Sequence, residues 1–219
     1  MPDLPGRNDW ERKLARLLGR YFQGRLADLI EQLGDPPNLN NVSQEWYDSL
    51  DEVQVPLVDV LEAIYLDSAK MLLDTQRIGT DWGLVNARAV EWARQYGFGL
   101  VKDINTTTRS NLQSIIPGFF EESGRTIGDL KQSLSGTFGP VRAEMIAITE
   151  TTRAASEGQL WLEDELRKDG IATYRVWQTN RDETVCPICA PRHGKRIEDG
   201  QLPPAHPRCR CWWNLEVEK

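Results

Sequence analysis

All four cysteines and both histidines of this 219-residue chain fall between positions 186 and 211. No other feature constrains the fold as strongly. Structural cysteines scattered through a core would not cluster this way. The stretch reads Cys186-Pro187-Ile188-Cys189, a spacer containing His193, then His206-Pro207-Arg208-Cys209-Arg210-Cys211. Two tetrapeptides share the form ligand-Pro-x-ligand. A two-residue gap lets both side chains turn onto one ion, and proline stiffens the turn. Two such knuckles make a tetrahedral Cys₃His zinc site. The first choice of ligands is Cys186, Cys189, His206 and Cys209. Cys211 is the alternative fourth ligand, because residues two apart on an extended chain point to opposite faces. Cys209 and Cys211 share one ion only if the backbone bends there.

The opening Met1-Pro2-Asp3-Leu4-Pro5 is neither basic nor apolar enough to read as an export signal. The expectation is therefore a reducing compartment, which favours metal over disulfides. Four protein ligands would close the ion's coordination sphere, so the expected role of zinc is structural rather than catalytic. A hairpin this short has no core of its own, and zinc would supply its order. His193, in Arg192-His193-Gly194-Lys195, reads as a turn residue, with a catalytic base or a further ligand as the alternatives. Asp182 and Glu183 read as turn residues after a strand end.

The rest of the chain has helical periodicity. A first amphipathic helix spans 8–33, with Trp10, Leu14, Leu18, Phe22, Leu29 and Leu33 on its apolar stripe. Arg12, Lys13, Arg16, Arg20 and Arg25 fall largely off that stripe, as a solvated face or a docking face for an acidic partner. A second helix near 44–77 is expected to kink or split at Pro56. A third runs near 83–97, and Gly97-Phe98-Gly99 reads as a break. Further helices follow Thr106-Thr107-Thr108 and, after Gly124, carry Leu130 and Leu134 inward. Pro140 then opens a long helix over 140–168, with Val141, Met145, Ile148, Ala155 and Leu162 on its stripe. Ile171–Thr179 and Trp212–Val217 read as two strands flanking the cysteine-rich loop. Most of the eight tryptophans read as core or interface anchors. The fold class expected is mainly α (α+β), with an N-terminal helical region and a C-terminal domain holding the long helix and a small zinc-stapled β-hairpin at 171–219.

Net charge is −7, the wrong sign for a chain whose main task is gripping nucleic acid. Residues 175–219 carry 8 Lys/Arg against 6 Asp/Glu, or +2, so the remaining 174 residues carry −9. No apolar run is long enough for a membrane span. No GxGxxG, P-loop, GxSxG or HExxH is present. Local contact with nucleic acid or a partner falls to Arg192, Lys195, Arg196, Arg208 and Arg210.

One family has these features in this order. They are Thr149-Glu150 late in a long helix, Trp177 in a strand, Asn180-Arg181-Asp182, Cys186-Pro187-Ile188-Cys189, Gly194-Lys195, and Pro203-Pro204-Ala205-His206-Pro207-Arg208-Cys209-Arg210-Cys211. Residues 105–219 resemble the C-terminal domain of phage Mu F-like head-morphogenesis (minor capsid) proteins. Residues 1–104 form a separate helical region without such a resemblance. The resemblance implies a non-enzymatic minor head protein, made in the host bacterial cytoplasm and carried in the virion. It implies a place in the capsid interior or at the portal vertex. The implied partners are the portal protein and the major capsid or scaffold protein, with weak contact to packaged DNA and none to membrane. Two other readings stand beside it. One is an HNH-like metal-dependent nuclease, and the other a zinc-ribbon nucleic-acid-binding module.

Overall fold

The computed structural model describes residues 3–34, 36–49, 51–76, 82–121, 125–180, 184–198 and 200–218. Gly79-Thr80-Asp81, which by composition reads as a break between the second and third expected helices, lies outside them, as do Asp182 and Glu183. Seven helices and a two-stranded sheet are described. They are α1 (Arg7–Leu33), α2 (Gln44–Asp48), α3 (Asp51–Gln76), α4 (Trp82–Glu121), α5 (Ile127–Ser133), α6 (Ser135–Phe138), α7 (Pro140–Lys168), β1 (Thr173–Gln178) and β2 (Trp212–Val217). The mainly helical fold with a small C-terminal hairpin is as the sequence led us to expect.

Local chemistry sets the helix starts. Ser43 caps α2 by accepting from the Trp46 N–H at 3.1 Å. Thr126 and Asp129 form a reciprocal capping box on α5. Pro140 occupies the first turn of α7, where its missing N–H costs nothing. Pro56 neither splits nor ends its helix, because it lies only six residues into α3 and removes a single backbone bond there.

The expected break at Gly97-Phe98-Gly99 is also absent, since α4 runs through it. The cause is packing. A Cβ at Gly97 would lie 2.7 Å from Val58 Cγ2, so this glycine serves the close approach of α4 to α3. Pro117 likewise sits inside α4 rather than terminating it. The position between residues 104 and 105, where two regions were expected to meet, is mid-helix in α4.

Helices α1, α3 and α7 pack against one another, and α4 lies along α3. Leu14, Leu18 and Phe22 of α1 share a core with Leu57 and Leu61 of α3, Leu112 of α4 and Ala147 of α7. A second cluster joins Tyr65, Leu72, Val85, Trp161 and Leu162 to Trp213 and Leu215 of β2. The hairpin thus docks its inner face on the C-terminal half of α7. Not every residue follows its stripe. Val141, in the first turn of α7, is exposed. Arg25 is buried rather than solvated, stacked on the Trp46 ring and donating to Ser49 Oγ at 2.7 Å and to the Trp46 carbonyl. Arg142 is buried among oxygens, donating to Thr108 Oγ1 and the Thr137 carbonyl at 2.8 Å and the Ile104 carbonyl at 3.0 Å. Six of the tryptophans, at 10, 46, 92, 161, 177 and 213, sit in or against these cores.

β1 and β2 pair antiparallel, with Trp177 opposite Trp213 and Val176 opposite Asn214. The free side of β1 is joined by the loop through the Val176–Arg196 bridge. Trp177 therefore forms a floor, 1% exposed, with Cys189, Cys209 and Cys211 packed against it.

Candidate metal centre

The first knuckle is a tight turn. Cys189 and Ala190 both donate their N–H to the Cys186 carbonyl, at 3.1 and 3.0 Å. The Cys189 N–H also lies 3.4 Å from Cys186 Sγ, so the backbone aims a donor at the sulfur. In the second knuckle Cys209 N–H donates to the His206 carbonyl at 3.2 Å.

Helix α7 grips this second knuckle at two points one turn apart. Thr149 Oγ1 accepts the Arg208 N–H at 2.9 Å, and Thr152 Oγ1 donates to the Cys209 carbonyl at 2.6 Å. These bonds hold Arg208 at φ 63°, a left-handed conformation that non-glycine residues rarely adopt. The backbone turns there, and β2 begins only at Trp212. As a result Cys209 and Cys211 face the same cluster, although strict alternation would have separated them. Their sulfurs lie within 4.8 Å of each other.

Five potential ligand atoms converge in two triads that share Cys189. Cys186, Cys189 and His206 form one, and Cys189, Cys209 and Cys211 the other, each with its atoms within 4.8 Å of one another. Cys189 Sγ is 3.3 Å from His206 Nε2 and 3.9 Å from Cys209 Sγ. Ligand atoms on a tetrahedral zinc stand about 3.5–3.8 Å apart, so these separations suit one ion. Cys186 Sγ is closer to His206 Nε2, at 2.9 Å. The cluster lines a cavity of about 80 Å³. His206 Nδ1 donates to the Pro207 carbonyl at 2.7 Å, which fixes the tautomer and leaves Nε2 free to face the thiols. That is the arrangement a metal-binding histidine needs.

The electrostatics point the same way. The hydrogen bond from Cys211, helped by the N–H groups of Cys211 and Ala205 and by His206, pulls the Cys209 thiol down to about 5. Burial, then the charge on Cys209, pushes Cys189 up to about 12. Cys211 is raised by its bond to Cys209 and by burial. Burial opposes ionisation of Cys186, but the Cys189 and Ile188 N–H groups and His206 outweigh it and hold that thiol below its ordinary value. The cluster by itself thus favours a thiolate at Cys209 and resists further negative charge. A divalent cation would lift that resistance and deprotonate its other thiol ligands.

The remaining predicted residues are placed as follows. His193 Nδ1 accepts the Thr179 N–H at 3.0 Å, which ties the loop to the end of β1. Arg208 ion-pairs with Glu144 at 3.0 Å, and Arg210 with Glu11 at 2.7 Å. Both guanidiniums are engaged within the chain. Arg192, Lys195 and Arg196 instead line a separate groove beside Trp177.

Sequence reasoning named Thr149 only as part of a family pattern and missed the supports from Arg7, Glu11 and Thr152. Thr152 is the hub: it binds the Cys209 carbonyl and accepts from Arg7 Nη1 at 2.8 Å. Arg7 is itself clamped by both oxygens of Asp3 at 2.6 Å. Glu11, with its side chain 6% exposed, takes a bidentate contact from Arg210. The only signal was polar residues at positions where α1 and α7 should be apolar. Glu11 is buried while the Arg210 side chain is 43% exposed, so removing Arg210 leaves a buried carboxylate short of its cation. Arg210→Ala is therefore expected to cost about 2–3 kcal/mol by urea titration. Arg210→Ala in a Glu11→Leu background is expected to cost less than half of that, and equal costs in the two backgrounds would refute the coupling.

Comparison with known proteins adds one match. Neither a curated protein nor a solved structure matches the chain. No helix among the described residues is long and apolar enough to cross a membrane. The model of one family, Phage Mu protein F like protein, matches residues 121–213. The matched stretch contains α7, both strands up to Trp213 and every cysteine and histidine, so the part of the chain that builds this centre is similar to the Phage Mu protein F like family.

Proposed function

We propose that this chain is a non-enzymatic minor head protein of a tailed phage, acting in head morphogenesis, with one structural zinc in its Cys/His cluster. The observation that carries the reading is the coincidence of the family match with the cluster and with the helix that anchors it. Zinc would be held by Cys186, Cys189, His206 and Cys209, with Cys211 as the alternative fourth ligand. The ion would cross-link two knuckles that have little apolar core of their own. The partners proposed are the portal protein and the major capsid or scaffold protein, in the capsid interior or at the portal vertex. The net charge of −7 favours protein partners over packaged DNA.

The nuclease reading is less well supported. A ββα-metal site needs a histidine free to act on water. Here His206 Nε2 faces two thiols, and His193 Nδ1 is taken by Thr179.

The test is deletion of the gene in the phage or prophage that encodes it, with complementation in trans. DNA-filled heads counted by electron microscopy are expected to fall at least tenfold. Wild-type protein is expected to restore them, and a Cys186→Ser/Cys189→Ser variant is not. The protein should also be detected in purified heads by mass spectrometry. Normal head yields without the gene, or absence of the protein from both proheads and virions, would overturn the proposal.

A further inference from the structure

The groove beside Trp177 is lined by none of the clustered cysteines or histidines and is used by nothing described above. Its volume is about 370 Å³. Ile188, Pro191 and Ile197 supply apolar walls, and Ile188 is exposed. One rim is a strand-like segment, residues 194–198. Trp177 N–H donates to the Lys195 carbonyl at 2.9 Å, and Ile197 N–H donates to the Arg175 carbonyl at 2.8 Å. The Lys195 carbonyl and the Ile197 N–H thus face β1, while the Lys195 N–H donates to the Arg192 carbonyl at 3.0 Å. By the alternation of an antiparallel ladder, Arg196 and Glu198 turn their backbone groups outward. Neither residue's backbone N–H or carbonyl makes a hydrogen bond among the described residues. This is a short open sheet edge beside an apolar groove, the geometry used to bind an extended peptide as an added strand.

We propose that the outer edge of residues 194–198 docks an extended acidic segment of a partner protein by strand addition. Charge complementarity selects the occupant. The Arg192 guanidinium lies 5.0 Å from the Trp177 ring centre and donates to Gln201 Oε1 at 2.7 Å, with no carboxylate partner. Lys195 has no ion-pair partner among the described residues. Arg196 is already paired with Glu218 at 2.7 Å. Two cations of the groove therefore have no carboxylate partner among the described residues, and Glu198 lines the same groove. The docked segment places acidic side chains beside Arg192 and Lys195, an aliphatic one against Ile188, and a neutral or basic one beside Glu198. A nucleic-acid backbone fits less well, because Glu198 lines the groove and Ile188 would have no apolar partner. The inference uses this edge alone and holds whether or not the head-assembly reading does.

The test uses the full chain and a fluorescein-labelled nonapeptide of alternating aspartate and valine, read by fluorescence anisotropy. A DNA duplex and the same peptide N-methylated at alternate backbone positions serve as probes of the other outcomes. Saturable peptide binding is expected, weakening about tenfold in Arg192→Glu/Lys195→Glu. Lys195→Glu alone, whose side chain supports no contact in the fold, should weaken it about threefold. The N-methylated peptide should not bind, because it lacks the donors an added strand requires. No saturable binding up to about 1 mM, equal binding of the N-methylated peptide, tighter binding of the duplex, or indifference to Lys195→Glu would each overturn the proposal.

Discussion

Stripping zinc from the purified chain with a chelator is expected to lower its thermal midpoint by about 10 °C while leaving most of its helix content intact. A ligand present at about a thousand times its dissociation constant stabilises the native state by about 4 kcal/mol. For a chain of this size, each kcal/mol moves the midpoint by about 2–4 °C. The helices keep their own apolar cores, so far-ultraviolet circular dichroism should change little. Hydrogen exchange should change locally. Amides of the two knuckles should lose protection, and those at the start of α1 should follow. The path is specific: Cys209 is tied to Thr152, Thr152 to Arg7, and Arg210 to Glu11. Cys186→Ser should reproduce the chelator effect without chelator and should abolish the one-to-one zinc content measured by mass spectrometry. Comparing Cys209→Ser with Cys211→Ser decides the fourth ligand, since only the true ligand's loss releases the ion. Purified chain that holds no zinc, and does not respond to the chelator, would remove the structural-zinc reading.

The helices were legible because burial imposes a 3.6-residue period on α1, α3 and α7, and Pro140 marks the first turn of α7. The convergence of Cys186, Cys189, His206 and Cys209 was legible because the spacing within each knuckle is short-range. What was not legible depends on contacts between distant segments. Gly97-Phe98-Gly99 has the composition of a break, yet Gly97 is small because Val58 of α3 presses against it. Arg25 has the composition of a solvated face, yet Trp46 arrives from another helix to cover it. The shared facing of Cys209 and Cys211 follows from a left-handed Arg208 held by Thr149, 59 residues away in sequence. Periodicity cannot report a bond of that range. For the same reason Glu11 and Arg210 read as surface charges until α1 and the second knuckle are placed together.

The contact between α3 and α7 should be the least forgiving in the bundle, and Gly158→Ala is expected to show it. A Cβ built on Gly158 would lie 2.4 Å from the Tyr65 carbonyl oxygen and 3.2 Å from its carbon. Both are backbone atoms, so no side-chain rotation relieves the overlap. Nearby, Ser68 Oγ donates to the Ala155 carbonyl at 2.8 Å, which fixes the same two helices in register. Ala69, Ala154 and Ala155 are also small and buried. Adding one methyl group must push the helices apart and strain that bond. The cost expected is about 2–3 kcal/mol in urea denaturation. Gly24→Ala in α1 is the internal control, since nothing stands within 4 Å of a Cβ there. In a helix interior that change should instead stabilise by about 0.5–1 kcal/mol. Opposite signs for the same chemical substitution separate packing from helix propensity. Equal signs would show that α3 and α7 do not cross this closely. The consequence reaches the metal centre, because Thr149 and Thr152 ride on α7 and the hairpin leans on its C-terminal half. A helix displaced at Gly158 should therefore also weaken zinc retention in a chelator competition, even though no ligand has been touched.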